Sequence, residues 1–565
     1  MDDGSGPNLP DDLLHLICIE LAERFDFNTL YSCAVSSKHL AGAGALANLY
    51  RISHDSPVKG GGNEALPFAE QELNVQRWSI LWRTIILSSF DETPRLTLFP
   101  YSRYLKALDM KDLSYLLEDD KFRGKIAKNF FQGKLQRFNI NQDALHRAGK
   151  PRRAPRLDTR KIISDIGDLI TEQAPMLEAL SEPIIGDMFS TALLRWAPRL
   201  SKLQELQFWN GKALEDETIQ NLLCAHCPQL NKLSIFQWSG DAADRHLGQF
   251  LNTLRQNSLT EFQNISNCGI GLETCLGLGS HGKSLKTLKL ALTAEGLPGL
   301  GVLKDCTSME TFELEDLRPP NDLQTSHNDI FLDMVEWLKQ CSSLREISLT
   351  NFVSAPALLE AILSGSDIQL EKLEINATKE DCLYVVKDHQ AFHLALSQQR
   401  NLRSLLLKAN PDPPSRDDLE ILCSTLCALT ELRELKLSRT SDYFTDSHVH
   451  MLAQSLVNLE DLYVSGYGIT DNALISVSSL GNLKSANFSG LTYFTKDGLL
   501  NFVDRLGPGN QGLAVFVDAA DPDRGLTDMA QDQVREALAE KVQGRFEYQL
   551  LRDPNMSEFD QSDSD

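Results

Sequence analysis

The chain has 565 residues, 42% of them hydrophobic and 24% charged, with 55 Lys and Arg against 78 Asp and Glu. The net charge of -23 excludes nucleic acid as the default ligand, because a phosphate-backbone binder needs an excess of Lys and Arg to displace counterions. No run of about 18 apolar residues is present, which excludes a membrane-spanning helix, and the acidic start MDDGSGPNLPDD predicts no secretory signal. The eleven cysteines are scattered and read as reduced, mostly buried small hydrophobes of a cytoplasmic or nuclear protein, with no disulfide framework.

The first predicted element is a helix opened by Leu9-Pro10-Asp11-Asp12-Leu13-Leu14. Proline lacks the N–H that a first helical turn leaves unpaired, and the two carboxylates meet the positive end of the helix dipole. Leu13, Leu14, Ile17 and Leu21 then fall on one face at helical spacing. A second helix is expected through Leu30, Cys33, Ala34 and Val35, and a third ends at Leu49-Tyr50-Arg51. Fifty residues barely enclose a core of their own, so part of this apolar surface is expected to meet another protein.

The stretches LPDDLLHLICIEL, LYSCAVSSKHLAGA and NLYR resemble the F-box, the adaptor-binding module of SCF-type ubiquitin ligases, over residues 7–53. The resemblance implies a small all-α domain that docks on a Skp-type adaptor through Leu9, Pro10, Leu13, Leu14, Ile17, Leu30, Val35, Leu49 and Tyr50. Two features depart from the family pattern. His39 stands where a Trp or Phe usually follows Val-Ser, and the connection Ala22–Thr29 is a few residues longer than usual. A bare helical cap shielding the first repeat is the structural alternative.

Residues 54–100 read as a linker and helical junction, in which Trp78 and Trp82, four apart, are expected on one buried helix face. Residues 101–200 hold early degenerate repeats: LKALDM from Leu105, LQRFNI from Leu135 and LEAL from Leu177. Between them a basic loop, 121–161, carries thirteen Lys and Arg against only Asp143 and Asp158. Its Pro- and Gly-broken centre reads as a solvated insertion, with a nuclear import signal or an electrostatic dock as the functional alternatives.

From 201 to 550 the dominant signal is a recurring phrase, Leu-x-x-Leu-x-Leu. It appears as LQELQF from Leu203, LNKLSI from Leu230 and, through degraded copies such as LTEFQNI from Leu259, as far as LKSANF from Leu483. Spacings of 24 to 35 residues are those of leucine-rich repeats, each a strand, a turn and a helical return that cannot bury its own apolar face without a neighbour. Cys227, Cys306 and Cys341, each three residues before a first apolar position, and the turn GYGITDNAL from Gly466 resemble the cysteine-containing repeat subtype. The fold expected is therefore an α/β leucine-rich-repeat solenoid with a C-terminal cap, preceded by the all-α F-box and followed by a disordered acidic tail, 551–565.

An F-box ahead of such repeats resembles the F-box/leucine-rich-repeat class of substrate receptors, and RWSILWRTIIL with LFPYSRYLKALDM resembles the junction of its filamentous-fungal members. The class implies a non-catalytic subunit whose adaptor bridges to cullin and RING subunits, while the repeats hold a protein substrate. A scaffold acting without the cullin is the alternative. Candidate cargo contacts are Gln207, Trp209, Ser234, Trp238, Lys289 and Lys436, on or just after the strands. Trp196 and Trp337 are either exposed anchors or core. Lys232, Lys286, Lys289, Arg345 and Arg433 would suit a phosphorylated target or stand as solvated strand-edge charges. The lone C-x-x-C, Cys224 to Cys227, has no second pair at zinc-finger spacing, and neither a P-loop nor a nucleophile elbow occurs. No metal or cofactor and no catalysis are expected.

Overall fold

The computed structural model describes residues 10–24, 26–49, 66–91, 96–142, 156–184, 186–238, 240, 242–266, 268–365, 367–410, 416–440 and 443–551. The chain is an α/β leucine-rich-repeat protein in which the Leu-x-x-Leu-x-Leu phrases form short parallel strands and the intervening segments return as helices. It divides into two compact units, 1–281 and 282–565, so the division falls inside the array that reads as continuous in sequence.

The first unit holds strands β1 (Ala107–Asp109), β2 (Ala179–Ser181), β3 (Glu205–Asn210), β4 (Lys232–Gln237) and β5 (Glu261–Asn264), adjacent in chain order. The second holds β6 (Thr287–Leu292), β7 (Thr311–Asp316), β8 (Glu346–Thr350), β9 (Lys372–Asn376), β10 (Ser404–Lys408), β11 (Glu434–Ser438) and β12 (Asp461–Ser465). It continues, past the two-residue strand β13 (Ile469–Thr470), with β14 (Ser485–Ser489), the two-residue β15 (Thr492–Tyr493), β16 (Ala514–Ala520) and β17 (Arg545–Leu550). Registers keep like positions side by side, as in Leu405↔Leu435 and Leu435↔Leu462. Side chains alternate across a strand, so each phrase sends its second and third apolar residues into the helix-covered core and the residues between them to the open face. Leu233 and Ile235, Phe312 and Leu314, and Leu405 and Leu407 are all buried in this way.

Two early repeats form strands where the phrase predicts them, from Leu105 and Leu177, but the copy at Leu135 does not. Gly133–Phe138 is a 3₁₀ helix, because the Leu-x-x-Phe spacing also matches one 3₁₀ turn, and Leu135 and Phe138 are both buried by it. Arg137 lies over the rings of Phe90 and Phe138, 4.7 and 4.6 Å from their centroids, and fixes that turn against the junction. At the other end β17 lacks the leading leucine, and in β16 the buried Leu513 stands immediately before the strand. Asn510 takes up the space before β16, its amide donating to the carbonyls of Leu480 and Leu483 at 2.9 and 3.2 Å.

The cysteines of the repeat pattern are core residues. Cys227, Cys306 and Cys341 are buried, and burial pushes each thiol up to about 12. The Cys341 thiol lies 3.5 Å from the Cys306 carbonyl, so the cysteine of one repeat contacts the backbone of the preceding one. Trp196 and Trp337 are also core residues. The Trp196 indole donates to Asp168, while Trp337 donates to the Cys306 carbonyl at 2.9 Å and packs edge-on against Phe312. Trp82 is fully buried on the junction helix Phe68–Ser88 and Trp78 half-buried beside it.

One buried group makes the second unit sensitive to acid. His393 is fully buried, and neither ring nitrogen has a hydrogen-bond partner among the described residues. Burial, reinforced by His389 and opposed by Asp418, pushes its pKa down to about 4 from the usual 6.5. The unfolded chain therefore takes up a proton first as pH falls. The stability associated with neutral His393 is whole above pH 6.5 and is lost progressively towards pH 4, by up to about 3 kcal/mol. A His393→Leu variant should show a flatter dependence of its urea midpoint on pH between 7 and 4.5 than the wild type. Identical slopes would refute this.

Candidate interaction surfaces

The N-terminal helices are built as the capping residues dictate. Pro10 precedes helix α1 (Asp11–Glu23), whose first turn carries Asp11 and Asp12. Asp26 caps α2 (Phe27–Ser36), accepting from the Thr29 amide at 3.1 Å and its hydroxyl at 2.7 Å. Much of the longer Ala22–Thr29 connection is thus absorbed by α1 and the α2 cap. A π-helical stretch at Ala41–Ala45, kinked at Gly44, then brings the chain against α1. Gly44 sits there at φ 143°, and a Cβ at that position would stand 2.8 Å from the His15 ring, so only glycine fits.

These helices separate the predicted adaptor contacts into two sets. Leu14 is buried, Leu30 packs inward with Cys18, Ala22 and Ala45, and Leu49 lies half-buried against the same cluster. Leu14 and Leu30 thus belong to the interior of the helical segment in the free chain, not to its outer face. Leu13 and Ile17, each 46% exposed, and Val35, 63% exposed, face outward with Leu16 and Tyr31. Leu16 and Tyr31 were not legible as contacts, because α1 is apolar on both sides: the spacing 14, 18, 22 turns in and the spacing 13, 16, 17 turns out. Pro10 is exposed, while Leu9 and Tyr50 lie outside the described residues. His39 is exposed as well, its Nε2 3.2 Å from an Asp11 carboxylate oxygen.

On the strands the predicted cargo positions have different surroundings. Gln207, Ser234, Lys289 and Lys436 stand half-buried on the open sheet face. Gln207 accepts from the Ser181 hydroxyl at 3.1 Å. Trp209 also lies half-open, stacked on Phe236 with centroids 4.0 Å apart and the Lys111 ammonium 5.9 Å from its ring. Trp238 does not reach the surface. It is buried, donates to Glu215 at 3.2 Å and closes so tightly on Gly211 that a Cβ there would come within 2.3 Å of the ring. The sequence reading missed Glu182, which is fully buried and accepts from the amides of Phe189, Trp209 and Asn210 at 2.9 to 3.1 Å. Burial pushes it up to about 7 against those three donors, and it anchors the end of β3 that carries Trp209.

The basic residues considered for phosphate are already paired. Lys232 meets Glu261, Lys286 meets Glu310, Lys289 meets Glu313, Arg345 meets Glu371 and Arg433 meets Glu460, at 2.7 to 3.3 Å, each acid one repeat further along. Lys436 meets Asp461 in the same way. Such exposed pairs contribute little individually: Arg345→Ala and Arg433→Ala should each shift unfolding stability by less than about 1 kcal/mol, with no effect left at high salt. A larger, salt-resistant loss in urea titrations would mean that these side chains do more than pair. Cys224 is half-buried and the Cys227 thiol faces the Ala197 carbonyl at 3.8 Å. No helix among the described residues is long and apolar enough to cross a membrane.

No family model matches the chain, and no curated protein matches it. Among solved structures it is similar to a chain of the yeast Rad7–Elc1 complex, at 14% identity over 62% of this chain and 79% of that one, with a TM-score of 0.36. It is also similar to the internalin InlF of Listeria monocytogenes, at 13% identity over 67% of this chain and 81% of that one, TM-score 0.29. A third likeness is to TLR13 in its complex with ssRNA13, at 14% identity over 67% and 62%, TM-score 0.28.

Proposed function

We propose that the chain is the substrate-recognition subunit of an SCF-type cullin–RING ubiquitin ligase. Its N-terminal helices dock on a Skp-type adaptor and its repeats hold a protein target. The observation that carries this reading is the outward exposure of Leu13, Leu16 and Ile17 on α1 and of Tyr31 and Val35 on α2, in a segment whose sequence resembles the F-box. Large apolar side chains left in water beside one another favour a protein partner, and aromatic and aliphatic anchors of this kind dominate helical docking sites.

The mechanism is proximity. The protein makes and breaks no bonds itself; it raises the effective concentration of a target's lysines beside a ubiquitin-conjugating enzyme brought by the cullin, a gain that needs only simultaneous engagement of both surfaces. The repeats suit the second role because each open strand face offers side chains at fixed spacing on a rigid sheet. Co-purification of the full chain with a Skp-type adaptor and a cullin tests the reading. Recovery of both supports it, recovery of the adaptor alone leaves a scaffold, and recovery of neither refutes it.

A further inference from the structure

We infer that the junction helix Phe68–Ser88 pairs, antiparallel, with the same helix of a second copy of the chain, through a row of Leu66, Leu73 and Ile80. The pairing stands apart from the ligase reading and needs no other protein.

The helix has an inner and an outer side. Val75, Ser79, Trp82, Ile85 and Ile86 are buried, and Arg83 is engaged by the carbonyls of Phe130 and Gln132. Leu73 and Ile80, 43% and 54% exposed, stand on the outer side seven residues apart. Leu66, 37% exposed, continues the interval just ahead of the helix, where the Gln71 amide donates to its carbonyl at 2.5 Å. Apolar residues exposed singly are ordinary, but an interval of seven keeps side chains on one seam when a helix lies along another. Ala69 and Gln76, also exposed, fill the seam with side chains small or flexible enough for close approach.

Charge says what covers the row. The Glu70 carboxylate and the Arg77 guanidinium are exposed and have neither an ion pair nor a hydrogen bond among the described residues. Seven apart, they do not meet on one helix, where neighbours three or four apart do. At about 100° per residue both fall on one flank of the row, within about 60° of Leu73. The other flank, through Ser79 and Ile86, is buried. A parallel pair would need that buried flank to face the free flank of its partner, whereas an antiparallel two-fold pair sets free flank against free flank. With the axis at Leu73, Leu66 of each copy stands against Ile80 of the other. Glu70 then falls one residue, about 1.5 Å along the helix, from Arg77 of the second copy, and symmetry makes two such ion pairs. The row is complementary to itself in apolar side chains and in charge, as a contact between identical copies requires.

Such a contact is small. One helix against another covers less than the roughly 1,200 Å² at which standard interfaces begin, so the dimer is reversible, with a dissociation constant in the micromolar range. Its ion pairs lie at the rim, and added salt weakens it. Pairing joins two repeat arrays, so a target with two recognised segments is held with avidity and without a new contact on either array.

Sedimentation velocity of the full chain over about 0.5 to 50 µM tests the pairing, and the wild type should pass from monomer to dimer across that range. Arg77→Glu alone, or Glu70→Arg alone, sets like charges opposite each other twice and should raise the dissociation constant at least about tenfold. The two substitutions together restore opposite charges and should bring the constant back to within about threefold of the wild type. Both positions are exposed, so thermal unfolding of each variant should match the wild type. A chain that stays monomeric at every concentration overturns the inference, as does association that neither single reversal weakens or that the double variant fails to rescue. A monomeric wild type whose adaptor recovery is lost in Leu73→Asp with Ile80→Asp would give the row to the adaptor, and that too overturns it.

Discussion

Replacing Leu13 and Ile17 together by Asp is expected to abolish binding of the Skp-type adaptor while leaving the chain as stable as the wild type. Both side chains are 46% exposed in the free protein, so the change costs the fold little, within about 0.5 kcal/mol. In a docked complex the same positions would bury two carboxylates against an apolar partner at several kcal/mol each, enough to weaken binding by at least about a hundredfold. Leu14 serves as the contrast. It is 9% exposed, and Leu14→Asp would bury a carboxylate within the helical segment whether or not an adaptor exists. Substituting Leu13 and Leu14 together would therefore confuse an interface with a fold. Adaptor pull-down with the Leu13/Ile17 pair, beside circular dichroism of the same sample, gives the answer. Undiminished binding would remove the F-box reading.

Trp337→Ala, which removes the one tryptophan of the second unit, is expected to cost about 3–5 kcal/mol of stability. The ring is 1% exposed, stands 5.3 Å edge-on from Phe312 of β7 and donates to the Cys306 carbonyl, so its removal leaves both a cavity and an unpaired carbonyl. In the first unit, Trp209→Ala should cost only about 1 kcal/mol, since a half-open stacked pair loses one ring contact. Urea midpoints followed by near-ultraviolet dichroism distinguish them. An unchanged midpoint for Trp337→Ala would mean that helix Asn328–Gln340 is not held on β7 through this residue.

The sequence by itself determined the repeat architecture. A phrase with apolar residues three and then two apart, recurring at 24 to 35 residues, has one way to bury its leucines, which is to stack beside its neighbours as a parallel strand. The three repeat cysteines and the helix start at Pro10-Asp11-Asp12 were legible for the same reason: local spacing and local capping chemistry act within a few residues. The phrase failed at Leu135, where identical spacing serves a 3₁₀ turn, and at β17, where no leucine leads the strand. Tertiary structure alone decided which apolar residues face outward. Leu13 and Leu14 are equivalent in composition, and only the packing of α1 against α2 and the Gly44 turn buries one and exposes the other. It also decided that Trp238 is core and Trp209 half-open, and that Lys289 is already paired with Glu313. Each of these depends on residues one or more repeats apart, and pairing across that distance is written in strand register, which no single repeat contains.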